Sequence, residues 1–177
     1  MVNRLDDVVR GALEVLDAFG LEFCSMRRVA AHLGVQPSAL YHHVPDKQTL
    51  LALMADRIVA EVEVPDEGDA SAWAPSDRAR ELCRRLRDAM LAVRDGAEVV
   101  ATASAFRLGA SQVEADLTAL LGDAVAARTL LLFVFAHSQA TQMQHLAASV
   151  GVIQAEADLE DSFAGGVDLV LAGAQRV

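Results

Sequence analysis

The chain has 177 residues, 53% of them hydrophobic and 5% aromatic, and a formal net charge of −10. This length allows one or two small domains, the aliphatic composition favours helices, and the acidic balance excludes a generally basic nucleic-acid coat but not DNA binding by one local face. The charge is uneven, because residues 1–47 hold five Lys and Arg against six Asp and Glu, whereas residues 48–177 hold ten against nineteen. Any approach to DNA is therefore expected through the N-terminal part.

The first predicted element is an amphipathic helix over residues 4–19, which Gly20 ends. We expect it to pack across the segment that follows and to form the core of that segment. Its apolar residues, which recur at helical spacing, are Leu5, Val8, Val9, Ala12, Leu13, Leu16 and Phe19.

Residues 25–47 predict two short helices joined by a tight turn. Ser25 can cap the first helix, and Gly34 lies where that helix must end, because glycine reaches positive φ without steric cost. Pro37 falls at the first position of the second helix, where its missing N–H is not needed. This is the pattern of a helix-turn-helix, whose second helix enters the major groove of DNA.

The same stretch resembles the DNA-binding segment of the tetracycline-repressor (TetR) family of bacterial transcriptional regulators. The matching residues are Met26-Arg27-Arg28-Val29-Ala30, Leu33-Gly34-Val35, Ala39-Leu40-Tyr41-His42-His43-Val44 and Asp46-Lys47 followed by Leu50-Leu51. The segment from Met90 to Val99 resembles the same region of the tetracycline-repressor branch itself. The resemblance implies an all-α fold, with an N-terminal three-helix helix-turn-helix domain over residues 1–47. A C-terminal antiparallel helical bundle over residues 48–177 would bind a ligand and form a dimer.

Six helices and one loop are predicted after the helix-turn-helix. The helices cover residues 48–63, 76–93, 97–106, 111–121, 123–149 and 159–174, with the loop over residues 64–75. Ser76 is the expected cap of the fifth helix, and the run from Leu130 to Phe135 is apolar all round and should be buried on both sides. The last helix has small and apolar residues on one side, and the resemblance implies that it joins a four-helix dimer interface.

The fifth helix carries a run of arginines. Such a run can bind phosphate, but the acids nearby favour an exposed face of ion pairs. The arginines are Arg78, Arg80, Arg84, Arg85 and Arg87.

The candidate DNA contacts fall into two sets. A helix N-terminus in the major groove places Gln36, Pro37, Ser38 and Ala39 nearest to the base edges. Of these, Gln36 can bond adenine and Ser38 several bases, while the other two can touch a thymine methyl group. The second set suits phosphates or flanking bases, and by resemblance its positions match the family's DNA contacts: Ser25, Arg27, Arg28, Tyr41, His42, His43 and Lys47. A partly buried ring with only its hydroxyl outside is the alternative for Tyr41.

A small-molecule pocket is expected between the body helices, where bundle proteins place ligands. The candidates are Met90, Phe106, Phe133, His137, Thr141, Gln142 and His145. Three of them are spaced four apart and share one face, although each can instead be a satisfied core or interface group. The tetracycline-binding members supply a histidine to a drug-bound magnesium from the sixth helix, and the corresponding position here is Val100, which argues against tetracycline–magnesium as effector.

These observations predict a ligand-responsive transcriptional regulator, a repressor that binds a palindromic double-stranded DNA operator as a homodimer and is released by a small molecule. One alternative is a helical dimeric interaction protein with weak or lost DNA binding. A helical enzyme is another, but no nucleophile–base pair, HExxH, GxSxG or phosphate loop occurs. No catalytic residue, metal site or cofactor is predicted.

The location and redox state are predicted from short patterns. Charges at Arg4, Asp6 and Asp7 interrupt any N-terminal apolar run, and the most apolar run is far too short to span a bilayer. A cytoplasmic protein without a membrane partner is expected. Cys24 and Cys83 lack metal-ligand spacing and are predicted to be buried, reduced thiols.

Overall fold

The computed structural model describes residues 4–65, 73–154, 156 and 158–174. Within these ranges the chain has nine α-helices and no strand, so the all-α prediction is confirmed. In chain order, α1 to α9 span Leu5–Phe19, Met26–His32, Pro37–Tyr41, Lys47–Ile58, Pro75–Leu91, Gly96–Ala105, Ser111–Leu121, Ala124–Ser149 and Leu159–Ala174. A 3-10 turn, Leu21–Phe23, follows α1. Most of the loop predicted over residues 64–75 lies outside the described residues.

The N-terminal domain is built on the apolar face of α1. Val8 and Leu16 are fully buried and pack with Val29 of α2 and Leu40 of α3 in one core, as the periodicity predicts. The stripe becomes exposed at both ends of α1, at Leu5 and Phe19. Three short helices therefore share one core, and the outer side of α3 is left free.

The turn between α2 and α3 closes as the sequence predicts. Gly34 has φ +67°, the N–H of Gly34 donates to the carbonyl of Ala31 at 3.2 Å, and the N–H of Val35 donates to that of Ala30 at 3.0 Å. No atom lies within 4 Å of the position that a Cβ would take at Gly34. The backbone conformation rather than lack of space therefore requires glycine here.

The body is arranged around the long helix α8. This helix packs against α5, α6, α7 and α9, and α4 connects the N-terminal domain to the body by packing along α6. The prediction that the run from Leu130 to Phe135 is buried on both sides is wrong for the single chain, because Leu132 is half exposed and no described helix covers its face of α8. Among the described helices, none has the length and apolar character to cross a bilayer.

Two helix ends differ from the sequence prediction. α5 begins at Pro75 with Ala74 at the capping position, rather than being capped by Ser76. Proline is favoured at the first helical position because its fixed φ suits the helix and its missing N–H is not needed there. α4 ends at Ile58, and the four residues after it form a looser turn instead of continuing the helix to residue 63.

Both cysteines are free and buried, as predicted. Burial raises the pKa of the Cys83 thiol to about 12. Burial also raises the pKa of Cys24, and the charge of Lys47 lowers it by a smaller amount. Neither thiol is poised for reaction, because the nucleophilic thiolate is disfavoured at both positions.

Candidate nucleic-acid interface

The residues predicted to read bases lie on the outer side of α3. Gln36, Ser38 and Ala39 are exposed and Pro37 is half-buried, while Leu40 fixes the helix from below. The side chain of Gln36, at the N-cap, makes no capping bond, so its amide is available to an outside partner. The structure therefore brings the four predicted readers together at one exposed helix start.

The residues that follow the reading end are also accessible. Tyr41 is 51% exposed, so its ring is half open to solvent rather than only its hydroxyl. α3 ends at Tyr41, and His42 and His43 are exposed in the turn that leads to α4. All three side chains border the same outer surface as the predicted readers.

The starts of α2 and α4 carry the remaining predicted contacts. Ser25 caps α2, since its Oγ accepts a 3.3 Å hydrogen bond from the N–H of Arg28. Asp46 caps α4, and its Oδ1 accepts a 2.7 Å bond from the N–H of Thr49, which lowers the pKa of Asp46. The N–H of Thr49, which a phosphate at the start of α4 could otherwise use, is therefore already bonded to the carboxylate of Asp46.

The cations of this surface are not neutralised by carboxylates. Within the part of the chain that the structure describes, no ion pair involves Arg27, Arg28 or Lys47. The unneutralised charge of these three residues can therefore act on a phosphate backbone.

The arginines of α5 behave differently, because carboxylates occupy most of them. Arg84 lies 2.7 Å from Glu81, and Arg85 lies 2.9 Å from the same carboxylate. These hydrogen bonds lower the pKa of Glu81 to about 2. The expected ion pairs are present, which removes the basis for a phosphate site on this helix.

Arg87 departs from that prediction. Its side chain is not on an exposed face but is 5% exposed, with its guanidinium 4.8 Å from the ring centroid of Phe163 and 2.6 Å from Glu160. The helical spacing already contained this signal, since position 87 shares a face with the buried Cys83 and Met90.

Hydrogen bonds link the loops that flank α6 to α4 and to the N-terminal domain. The N–H of Leu21 donates to Oδ2 of Asp95 at 2.7 Å, and Arg94 donates to two carbonyls in the last turn of α1. The N–H of Ala110 donates to Oδ1 of Asp56 on α4 at 2.7 Å. Movement of the loops at either end of α6 would therefore act directly on α1 and α4.

Some of the predicted ligand residues form a ring cluster. Phe133 and His137 on α8 lie with Phe163 of α9 at centroid distances between 5.3 and 6.1 Å. Burial and the nearby charge of Arg87 lower the pKa of His137, which Glu160 partly offsets. Thr141 is buried one turn later and donates to the backbone carbonyl of His137 at 2.9 Å.

The other predicted ligand residues are placed differently. Gln142 donates to the carbonyls of Met90 and Val93 at 3.1 and 2.7 Å and accepts from the N–H of Ala97 at 3.1 Å. Its side chain thus holds the α5–α6 turn. Phe106 and His145 are exposed, and in the described ranges no hydrogen bond or ring contact joins them to the cluster.

A small cavity of about 200 Å³ lies between the start of α6 and α8. Asp95, Glu98, Gln139, Gln142, Met143 and Leu146 line it. In the described part of the chain, this cavity included, no group of three or more His, Cys, Asp or Glu side chains is arranged to hold a metal ion.

Comparison with known proteins places these features in a family. Residues 8–54 match the family described as bacterial regulatory proteins, tetR family. The whole fold superposes on the crystal structure of BioQ from Mycobacterium smegmatis with a TM-score of 0.88, at 31% identity over 97% of both chains. The chain belongs to the TetR family.

Other relatives extend the similarity of this TetR-family chain. It is 48% identical over 69 residues to the transcriptional repressor DrrR1 of Streptomyces coeruleorubidus, which is 39% of this chain and 26% of DrrR1. It is 33% identical over 120 residues to the class E tetracycline repressor of Escherichia coli, which is 66% of this chain and 54% of that protein. The chain thus spans about a quarter to a half of these curated relatives, which are repressors rather than enzymes.

Two solved complexes share the TetR-family fold over nearly their whole length. BioQ with its natural double-stranded DNA operator gives a TM-score of 0.81 at 28% identity over 99% of both chains. ActR of Streptomyces coelicolor in complex with (S)-DNPA gives 0.74 at 25% identity, over 99% of this chain and 98% of ActR.

Proposed function

We propose that this chain is a DNA-binding transcriptional regulator, a repressor that binds a palindromic operator as a homodimer and is released by a small molecule. The observation that carries the proposal is the exposed start of α3, which presents Gln36 and Ser38. The flanking helices supply Arg27, Arg28 and Lys47, for which the described residues provide no ion pair. Base edges are read by such side chains, while cations on the flanking helices hold phosphates. The structure of BioQ with its operator and the name of DrrR1 support the same role here.

The homodimer is supported by an exposed apolar stripe on the last two helices. On α8 the exposed Val125, Leu132 and Met143 lie at spacings of seven and eleven residues, which place them on one face. On α9 the exposed Leu169 has Gly165 four residues before it, and nothing lies within 4 Å of the Cβ position there. Small residues allow close approach of a second backbone, and exposed apolar residues aligned on one helix face favour a partner.

The effector is proposed to bind in the body beside α8, as the complex of ActR with (S)-DNPA suggests by similarity. The cavity beside Gln142 is smaller than the 300–1,000 Å³ that is typical of ligand sites, so a ligand must enlarge it. Asp95 lines the same cavity, and its carboxylate accepts a hydrogen bond from the N–H of Leu21 in the N-terminal domain. A ligand that favours an enlarged cavity would therefore change how α1 is held, and only such differential affinity can shift the DNA-binding state.

Selection from a random-sequence DNA pool tests the proposal. The wild-type protein should enrich a palindromic site with two half-sites about one helical turn apart, and Gln36→Ala should abolish protection of that site. Gln154→Ala, an exposed change between α8 and α9, serves as the matched control. If the folded dimer enriches no sequence at moderate salt, the DNA-binding proposal fails, and a dimeric interaction protein explains the fold better.

A further inference from the structure

Arg28 lies against two aromatic rings at the edge of the candidate DNA interface. Its guanidinium carbon is 4.5 Å from the ring centroid of Phe19 and 5.7 Å from that of Phe23. Phe19 is the last residue of α1 and Phe23 is the last residue of the 3-10 turn. Two consecutive elements thus bring their rings to the start of α2.

Both rings remain in contact with water. Phe19 is 45% exposed and Phe23 is 52% exposed, although phenylalanine is among the residues most often buried. Neither ring can therefore be explained by core packing alone. Phe19, Arg28 and the exposed Ser25 and Arg27 line one concave surface of about 640 Å³ beside α2.

An aromatic ring orients a guanidinium without cancelling its charge. A ring attracts a cation through its quadrupole when the cation lies within about 6 Å of the centroid, and the ring has no net charge. Arg84 on α5 shows the other arrangement, because the carboxylates of Glu81 and Asp88 hold it and neutralise it. Arg28 is held in place and yet keeps its full charge for an outside anion.

Ordering the side chain in advance also favours binding. An arginine that is free in solution loses rotamer freedom when it binds a phosphate, and this loss weakens the contact. A guanidinium already lying on two rings has lost part of that freedom before DNA arrives. The acidic chain offers few cations on this surface, so the strength of each phosphate contact has a large share in the DNA affinity.

We propose that Phe19 and Phe23 are positioning residues that hold the guanidinium of Arg28 for a phosphate of the DNA backbone. The proposal rests on the proposed DNA-binding function and adds a role for two residues outside the helix-turn-helix. The rings act through Arg28 and do not themselves touch the nucleic acid.

A double-mutant cycle on DNA affinity tests this role. The probe is the duplex that the wild-type protein enriches from the random pool. Substituting both rings by leucine (Phe19→Leu with Phe23→Leu) keeps apolar side chains and should weaken binding about two- to five-fold, as expected for an exposed cation–π contact. In an Arg28→Ala background, the same two substitutions should have no further effect. Arg28→Ala alone should reduce the dependence of log K on log salt by about one.

Three controls separate positioning from folding. Restoring aromatic rings, with tyrosine at both positions, should return the affinity to that of the wild type. Trp73→Leu, which changes a half-exposed ring in the body that has no assigned role, should leave the affinity unchanged. Thermal unfolding of each variant reports whether the fold is retained.

The possible outcomes are distinct. A loss in the wild-type background and none in the Arg28→Ala background supports the proposal. An equal loss in both backgrounds, or no loss in either, overturns it, because the rings then act independently of Arg28 or not at all. A wild-type protein that enriches no duplex overturns the proposed function and this inference together, whereas DNA binding without coupling overturns this inference alone.

Discussion

The carboxylate of Asp95 in the body accepts a 2.7 Å hydrogen bond from the backbone N–H of Leu21 in the N-terminal domain. Asp95 precedes α6 in the left-handed conformation, with φ +55°. The residue before it, Arg94, donates to carbonyls at the end of α1, and Gln142 of α8 bonds the same turn from the other side. The α5–α6 turn therefore contacts both the long helix of the body and the domain that carries the candidate DNA interface.

Asp95→Gly should loosen this connection without straining the backbone. Glycine adopts the same positive φ at no steric cost but offers no acceptor to Leu21. Because a hydrogen bond to a charged group contributes about 1.5–3 kcal/mol, we expect the free energy of unfolding to fall by about that amount. Amide hydrogen exchange at Leu21 should become faster.

Asp95→Asn is the matched variant, because asparagine tolerates the left-handed conformation and keeps an uncharged acceptor. It should retain most of the protection at Leu21. Unchanged exchange at Leu21 in the glycine variant would show that this bond does not hold the domain.

Gln142→Ala should destabilise the α5–α6 turn. The side chain makes three hydrogen bonds with backbone groups of that turn, and each contributes roughly 0.5–1.5 kcal/mol. The expected decrease in the free energy of unfolding is about 2–4 kcal/mol, measured by urea denaturation. Gln139→Ala, at a half-buried position on the same cavity, should change it by less than about 0.5 kcal/mol. Equal effects of the two substitutions would contradict a structural role for Gln142.

The helices and the helix-turn-helix could be predicted because their signals are local. Gly34 and Pro37 act through backbone geometry that a few neighbouring residues determine, and the apolar period of α1 identifies its buried face. The role of Gln142 could not be predicted in the same way. Its partners are backbone atoms 45 to 52 residues away, which no side-chain pattern identifies.

Two further differences have physical causes of their own. The charge of Arg87 predicts an exposed side chain, whereas Arg87 lies on the same helix face as Met90 and is buried with it. Leu132 is apolar but exposed, because the apolar character of a residue does not distinguish a buried position from an exposed one on the same helix. For Arg87, the position on the helix predicts burial better than the charge of the side chain does. For Leu132, neither the position nor the apolar character predicts the exposure.

The stability of the body should depend on the protonation of His137. Its pKa is lower in the folded chain than its ordinary value of 6.5, because burial and Arg87 disfavour the charged ring. The folded chain therefore binds fewer protons at this site than the unfolded chain. The stability that the neutral ring contributes is present above pH 6.5 and is lost as the pH falls below it, through the lower folded value.

His137→Phe should remove this part of the pH dependence. Phenylalanine preserves ring packing against Phe133 and Phe163 but does not titrate. The free energy of unfolding, measured by urea denaturation from about pH 7 to about pH 5, should fall less steeply than in the wild type. Leu146→Phe adds a ring at an exposed, non-titrating position of the same helix and should leave the slope as it is. A His137→Phe slope equal to that of the wild type would contradict the assignment.

Leu169→Asp should separate the proposed dimer. Leu169 is among the most exposed large apolar residues of the described chain and lies on α9, which packs against α8. In a two-fold interface one substitution acts twice, and two buried aspartates would face an apolar surface without partners. Sedimentation velocity at equal concentrations should show a wild-type dimer and a monomeric variant.

The matched control is Leu108→Asp, at an exposed apolar position in the α6–α7 connection, which should remain dimeric. A Leu169→Asp variant that stays dimeric would show that another surface joins the subunits. Operator affinity should fall when the dimer is lost, because a single helix-turn-helix contacts only one half-site.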